Sequence, residues 1–249
     1  MAILQAIHLS KHYASRNGSL LAIENVSFDV ASGEFLCIVG PSGCGKTTLL
    51  KLLAGLIMPD EGEVRLHGQL LQGPCQDIGF VFQKANLMPW RNVLDNVLLP
   101  LEIQHMPTVE AQQRAVHALD LVGLREFARN YPRELSGGME QRVAIARALA
   151  HKPEILLLDE PFGALDALTR ERLNQELLQV WELSGTTVVM VTHDIREAVF
   201  LADRVLVLSR RPGRIAAEVP IGLPRPRPLS LFYSEAFSAL AYEVRQAIR

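Results

Sequence analysis

No stretch of the chain reaches the ~18 uninterrupted apolar residues that a membrane-spanning helix needs, so if a membrane is involved, another chain crosses it. The N-terminal MAILQAIHLSKHY has no charged segment followed by a long apolar one, which argues against a secretory leader. Cysteine is scarce. Cys37, Cys44 and Cys75 are an odd number without metal-ligand spacing, and they read as small buried or loop thiols in a reducing cytosol rather than as a disulfide framework. An excess of positive charge is missing too: 25 Lys and Arg against 27 Asp and Glu leave a formal net charge of −2, without the basic footprint of a general nucleic-acid binder. Low-complexity tracts and internal repeats are also lacking. With 49% hydrophobic and 21% charged residues, the 249-residue chain has ordinary globular composition and enough length for a core that needs neither disulfide nor metal.

The apolar pattern changes along the chain. Residues 3–9 and 21–30 read as strands of a half-buried antiparallel sheet, the second with Ile23, Val26, Phe28 and Val30 mostly two apart. EFLCIV (34–39) is a short apolar strand that enters a glycine-rich turn and then the helical KTTLLKLLAGL, stopped by Gly55 and Pro59. Residues 62–67 and 78–82 resemble strands. Helical spacing then takes over at 92–104 and 108–122, with Val109, Val116, Leu119 and Val122 as the apolar stripe of the latter. From ILLLD (155–159) onward strands at 186–191 and 204–208 alternate with helices at 167–183 and 194–201, the pattern of a parallel sheet covered on both faces. The fold class is α/β. The Arg- and Pro-rich segment 210–228 reads as a solvated connector, with a lipid or partner contact as the alternative. Beyond it, Phe237, Leu240, Val244 and Ile248 share one helical face behind a Ser234 cap, and this helix is expected to dock on its own domain.

Three segments carry chemistry. Gly40-Pro41-Ser42-Gly43-Cys44-Gly45-Lys46-Thr47 fits the phosphate-binding G-x-x-x-x-G-K-[ST] at every fixed position and lies between an expected strand and an expected helix. Its glycines let successive backbone N–H groups turn toward phosphate oxygens at the positive end of the helix. Lys46 is then expected to reach the β and γ phosphates and the Thr47 hydroxyl to ligate Mg²⁺. The apolar strand 155–158 ends in Asp159 and Glu160, placing one carboxylate to orient Mg²⁺ or its water and the next to polarise a water that attacks the γ-phosphate. Leu135-Ser136-Gly137-Gly138 opens a helix whose free N–H groups and serine hydroxyl converge on a second anion site. Taken singly, an Asp-Glu at a strand end or an SGG at a helix start is a commonplace of solvated loops and caps. Their order after the phosphate loop gives them meaning.

With this constellation the sequence is similar to the ATP-binding subunits of ATP-binding cassette (ABC) transporters over nearly its whole length. The resemblance implies that Tyr13 stacks on adenine, that the phosphate loop through Thr48 binds ATP, and that Gln83 in FVFQ contacts Mg²⁺ and the attacking water. It further implies that Ser136, Gly137 and Gly138 form the family signature, that Asp166 in ALD joins two active sites, and that His193 contacts the γ-phosphate. Singly, Tyr13, Gln83 and His193 read as a surface tyrosine, a strand-end polar group and a neighbour of a helix cap. Segments 87–103, 159–173 and 192–209 most resemble the branch that powers uptake of nitrate, sulfonates, taurine and related small anions. Met139 stands where many members carry Gln, and Glu140 puts an acid where a basic or amide residue is usual, with its side chain expected to point outward.

The fold so implied is a P-loop core with an antiparallel β-subdomain over residues 1–228, a helical subdomain inserted at about 85–150, and a helical extension at 229–249. Two such subunits are expected to pack head to tail around ATP, on permease subunits at the cytoplasmic face of a membrane and indirectly on a solute-binding protein. Leu87, Met88, Trp90, Val93 and Leu94 are candidates for the groove that receives the permease, or equally for core packing. A soluble ABC ATPase of DNA repair or translation lacks support in this single cassette with no coiled-coil insert. A small-molecule kinase leaves the signature, Gln83 and His193 unexplained.

Overall fold

The computed structural model describes residues 2–15 and 18–248, and the chain divides into two compact units, residues 1–75 with 187–249 and residues 76–186. The first unit opens on two long antiparallel strands, β1 (Ala2–Ser15) and β2 (Gly18–Ala31). Leu9 faces Val26 but Lys11 faces Ile23, so β2 carries one extra residue there, and Asn25 takes φ 49° within the bulge. That extra residue is why Ile23 and Val26, three apart, both point inward with Phe28 and Val30. Next come β3 (Phe35–Val39), buried at every position, and α1 (Lys46–Leu53), which buries Leu49, Leu50, Leu52 and Leu53. Strands β4 (Glu61–Leu66) and β5 (Gln69–Leu70) complete an antiparallel sheet in the order β2-β1-β4-β5.

The second unit starts with β6 (Ile78–Val81), which pairs in parallel with β7 (Ile155–Asp159). Between them lie α2 (Val93–Ile103), α3 (Thr108–Leu121) and α4 (Gly137–Leu149), and α5 (Ala167–Ser184) follows. The buried face of α3 differs from the expected stripe. Val109 is 70% exposed, and the covered positions are Ala111, Ala115, Ala118 and Leu119, continued by Val122 beyond the helix. Alanines at helical spacing allow α3 to lie close to α2 and α4, a packing that a count of large apolar residues overlooks. Val93 is fully buried and belongs to the core, whereas Trp90 is 73% exposed.

The chain then returns to the first unit with β8 (Thr187–Thr192), α6 (Ile195–Leu201), β9 (Arg204–Leu208), β10 (Ile215–Pro220) and α7 (Glu235–Ala247). Here β3 lies between β8 and β9, parallel to both, and β10 pairs antiparallel with β9. Burial on both faces explains the unbroken apolar runs of β3, β8 and β9.

The reading of 210–228 as a solvated connector is corrected by the structure: residues 215–220 form β10, and Arg227 is 4% exposed. Its guanidinium donates to the carbonyls of Phe200 and Ala202, both at 2.8 Å, and of Leu223 at 3.2 Å. Arg225 reaches Asp203 and the Leu201 carbonyl. Positive charge at the end of α6 meets the negative end of its dipole, and that local attraction turns an Arg-rich segment into a fastening. Farther on, Phe232 stacks on Phe200 with ring centroids 4.5 Å apart and meets Phe237 edge-on at 5.0 Å. With Phe237 and Val244 buried, α7 packs on α6. Among the described residues no helix is long and apolar enough to cross a membrane.

Candidate active site

The turn from β3 into α1 is tightly constrained by its surroundings. A Cβ on Gly40 would fall 2.9 Å from the Leu208 carbonyl oxygen, and Gly45 takes φ 108° with Ala22 and Ile23 of β2 less than 3 Å from where its Cβ would stand. Only glycine fits at either place. Lys46 starts α1 yet is 6% exposed, because its ammonium folds back and donates to the carbonyls of Gly40 at 3.0 Å and Pro41 at 3.3 Å. The first-turn N–H groups of α1 have no acceptor within the helix and face outward with the positive end of its dipole. Thr47 is exposed there, as are Ser42 and Gly43, while Cys44 is buried. The Tyr13 hydroxyl lies 3.5 Å from Thr48 Oγ1, which sets an exposed aromatic ring beside the same helix start.

His193 follows β8 on a braced corner. The Thr192 hydroxyl bonds the Glu197 carboxylate and accepts from the Asp194 N–H, and Asp194 caps α6 by accepting from the N–H groups of Arg196 and Glu197. The exposed imidazole shares a cavity of about 370 Å³ with Gly40, Pro41 and Ser42. Within the first unit the fold therefore gathers Tyr13, the phosphate loop and His193.

In the second unit β7 is buried throughout and delivers Asp159, 5% exposed, at its end. Glu160 follows with φ 43°, a left-handed conformation that an L-residue with a side chain adopts only under constraint, at about 1–3 kcal/mol. Its carbonyl accepts from the Gly163 N–H at 3.1 Å, which closes the turn. Gln83 is exposed just past β6. The backbone on both sides of it is gripped: Gln141 donates to the Phe82 carbonyl at 3.2 Å, and Arg147 to the carbonyls of Ala85 at 2.7 Å and Asn86 at 3.0 Å. Burial lowers the Arg147 pKa from its ordinary value. Asn96, fully buried, ties Met88, Arg91 and Asn92 through four hydrogen bonds. Sequence reasoning missed these three side chains. The one available signal was polar residues at positions of a helix that are otherwise apolar.

Ser136 caps α4, its hydroxyl accepting from the Met139 N–H at 3.3 Å, and both it and Gly137 are exposed. Gly138 is buried where a Cβ would stand 3.3 Å from Leu173. Glu140 is half-buried in the first turn rather than turned fully outward, a favourable place for a carboxylate at the positive end of a helix. Asp166 caps α5, and its hydrogen bond from the Thr169 N–H at 3.0 Å holds its carboxyl below the usual range. Arg170 donates to the carbonyls of Phe162 and Leu165 and so holds the turn between Glu160 and Asp166.

Comparison with known proteins identifies the family. The sequence profile described as ABC transporter matches residues 23–163. A nitrate import ATP-binding protein of Synechocystis sp. is 48% identical over 221 residues, covering 89% of this chain and 83% of that protein. An aliphatic sulfonates import ATP-binding protein of Bacillus cereus is 42% identical over 238 residues, covering 96% and 92% respectively. Among solved structures, a dimeric ATP-binding cassette in a post-hydrolysis state with ADP and Pi superposes with a TM-score of 0.77 at 38% identity, over 89% of this chain and 100% of that one. The phosphate loop, the strand ending in Asp159 and Glu160 and these relatives converge on one conclusion: the chain belongs to the ABC transporter family, as an ATP-binding subunit whose ATPase activity is coupled to transport.

Proposed function

We propose that this subunit drives uptake of a small anion such as nitrate or a sulfonate, working as a homodimer on permease subunits at the cytoplasmic face of the membrane. The names of the relatives support the cargo and the direction. The observation that carries the ATPase assignment is the phosphate loop, with Lys46 drawn in over the carbonyls of Gly40 and Pro41 and the N–H groups of α1 turned outward. In this reading the ammonium swings onto the β and γ phosphates of ATP, the loop amides cradle them, and Tyr13 stacks on the base. Glu160 polarises a water that attacks the γ phosphorus, the bond to the bridging oxygen breaks, and the water proton passes to the carboxylate and on to solvent. His193 and Gln83 orient the γ-phosphate and that water.

The Thr47 hydroxyl, the Asp159 carboxylate and the Gln83 amide are hard oxygen donors, few in number, which suits Mg²⁺ completing its shell with water and phosphate oxygens. No cluster of three or more His, Cys, Asp or Glu exists among the described residues to form an all-protein cage. Mg²⁺ would supply neutralisation of the phosphate charge. Ser136, Gly137 and Gly138 would close on the γ-phosphate of a second subunit's ATP, with Asp166 beside that contact, so that ATP holds the pair together and hydrolysis lets it open. The exposed Trp90, with Leu87 and Met88 beside it, would receive the permease. The experiment is Glu160→Gln, which keeps the side-chain shape but cannot take a proton. ATP binding by titration should stay native while turnover falls by about 10²–10⁴-fold; turnover near the native rate removes Glu160 from the chemistry.

A further inference from the structure

The cavity beside the phosphate loop holds more positive charge than the motifs account for. Gly40, Pro41, Ser42 and His193 line its roughly 370 Å³ together with Ile195 and Ile248, and Arg210, from the turn after β9, and Arg245, from the last turn of α7, line it too. Neighbouring arginines are already committed: Arg211 donates to the Gly43 carbonyl at 3.0 Å, and Arg214 pairs with Glu24 at 2.6 Å. Arg210 and Arg245 are exposed, and neither makes an ion pair among the described residues. Among the described residues no carboxylate side chain lines the cavity. Two guanidinium groups that line one small space, with no ion-pair partner among the described residues, both attract a multiply charged anion placed between them.

The size and lining narrow the ligand. A tetrahedral oxyanion fits and can take paired N–H donors from the planar guanidinium forks, with Ile195 and Ile248 as the apolar part of the lining. We propose that Arg210 and Arg245 form a seat for inorganic phosphate at the mouth of the phosphate loop, which holds the phosphate cut from ATP before it leaves. The seat rests on the ATPase reading given above only for the source of its ligand. Cleavage supplies hydrogen phosphate, and the C-terminal helix thereby touches the catalytic cycle through its last turn.

The test compares the native protein with the double variant Arg210→Gln, Arg245→Gln, both at exposed positions, and with Arg245→Lys. Inorganic phosphate is titrated into each protein with and without saturating Mg·ADP, followed by phosphorus NMR line width. The glutamine pair should bind phosphate about tenfold more weakly, with most affinity kept by the lysine variant. In single turnovers, acid quench reports cleavage and a fluorescent phosphate sensor reports release; the lag between them should shorten several-fold in the glutamine pair. Unchanged phosphate affinity overturns the seat. Weaker affinity with an unchanged lag overturns its role in product release and leaves a site for free phosphate only. A native protein that cleaves no ATP sinks the ATPase reading, while the titration without nucleotide still judges the seat.

Discussion

At the scale of single residues, the informative positions are those held against their ordinary preference. Glu160 keeps a left-handed backbone at the end of a fully buried strand, and Lys46, a residue only 6% exposed, keeps its ammonium over carbonyl oxygens. His151, just past α4, is a third case. Its Nδ1 is buried without a hydrogen-bond partner, and burial lowers its pKa below the ordinary histidine value, with Asp77 opposing in part. A depressed folded pKa means that the unfolded chain binds the proton first, so this contribution to stability is present above about pH 6.5 and is lost as the pH falls below it. The native protein should therefore lose more melting temperature than His151→Gln on going from about pH 7.5 to pH 5.5, by about 1–3 °C. Equal losses in the two proteins would show that His151 is as well solvated as any surface histidine.

At the scale of elements, the C-terminal segment matters through its fastening to α6. Arg227 is buried and makes no ion pair among the described residues, and burial, helped by Arg225 and opposed in part by Asp203, pulls its pKa down to about 10. Its compensation is the set of carbonyls at the end of α6, which would otherwise lack donors in a covered site. Asp203 adds a second tie by accepting from Arg225 with one oxygen and from the Phe35 N–H with the other. Replacement Arg227→Met keeps length and apolar bulk but leaves those carbonyls bare. It should lower stability by roughly 2 kcal/mol, the lost charged hydrogen bonds exceeding the recovered burial cost. Urea unfolding checks this: the midpoint should fall at unchanged slope, and a midpoint equal to the native one would mean that water replaces the guanidinium freely.

At the scale of the whole molecule, the proposal that two subunits share their ATP has a direct test. Ser136 is exposed at the start of α4 in one compact unit, whereas the phosphate loop belongs to the other. In the Glu160→Gln background, Ser136→Arg should leave ATP affinity at dilute protein within about fivefold of the parent, since the loss of one helix cap is worth only about 1 kcal/mol. Light scattering at high protein and saturating ATP should show the dimer lost. An arginine variant that still dimerises leaves Ser136 as a helix cap alone, and one that binds ATP poorly points to a site built within a single chain.

The sequence by itself determined what depends on neighbours along the chain. Glycines, Lys46 and Thr47 between an apolar strand and a helix specify a phosphate loop because the turn and the helix start are local backbone features. ILLLD reads as a buried strand because five consecutive apolar or terminal positions leave no solvent face. Only the tertiary structure decided which distant groups answer one another. The Arg-rich tail is a fastening because Asp203 and the end of α6 lie within reach of Arg225 and Arg227, more than 20 residues away in the chain. Alanines rather than valines line the covered side of α3 because neighbouring helices crowd that side. Arg245 shares a cavity with Gly40, Pro41 and Ser42 because α7 packs on α6. Periodicity encodes which side of an element is covered, but the choice of partner is settled by packing across the fold, and no local pattern carries it.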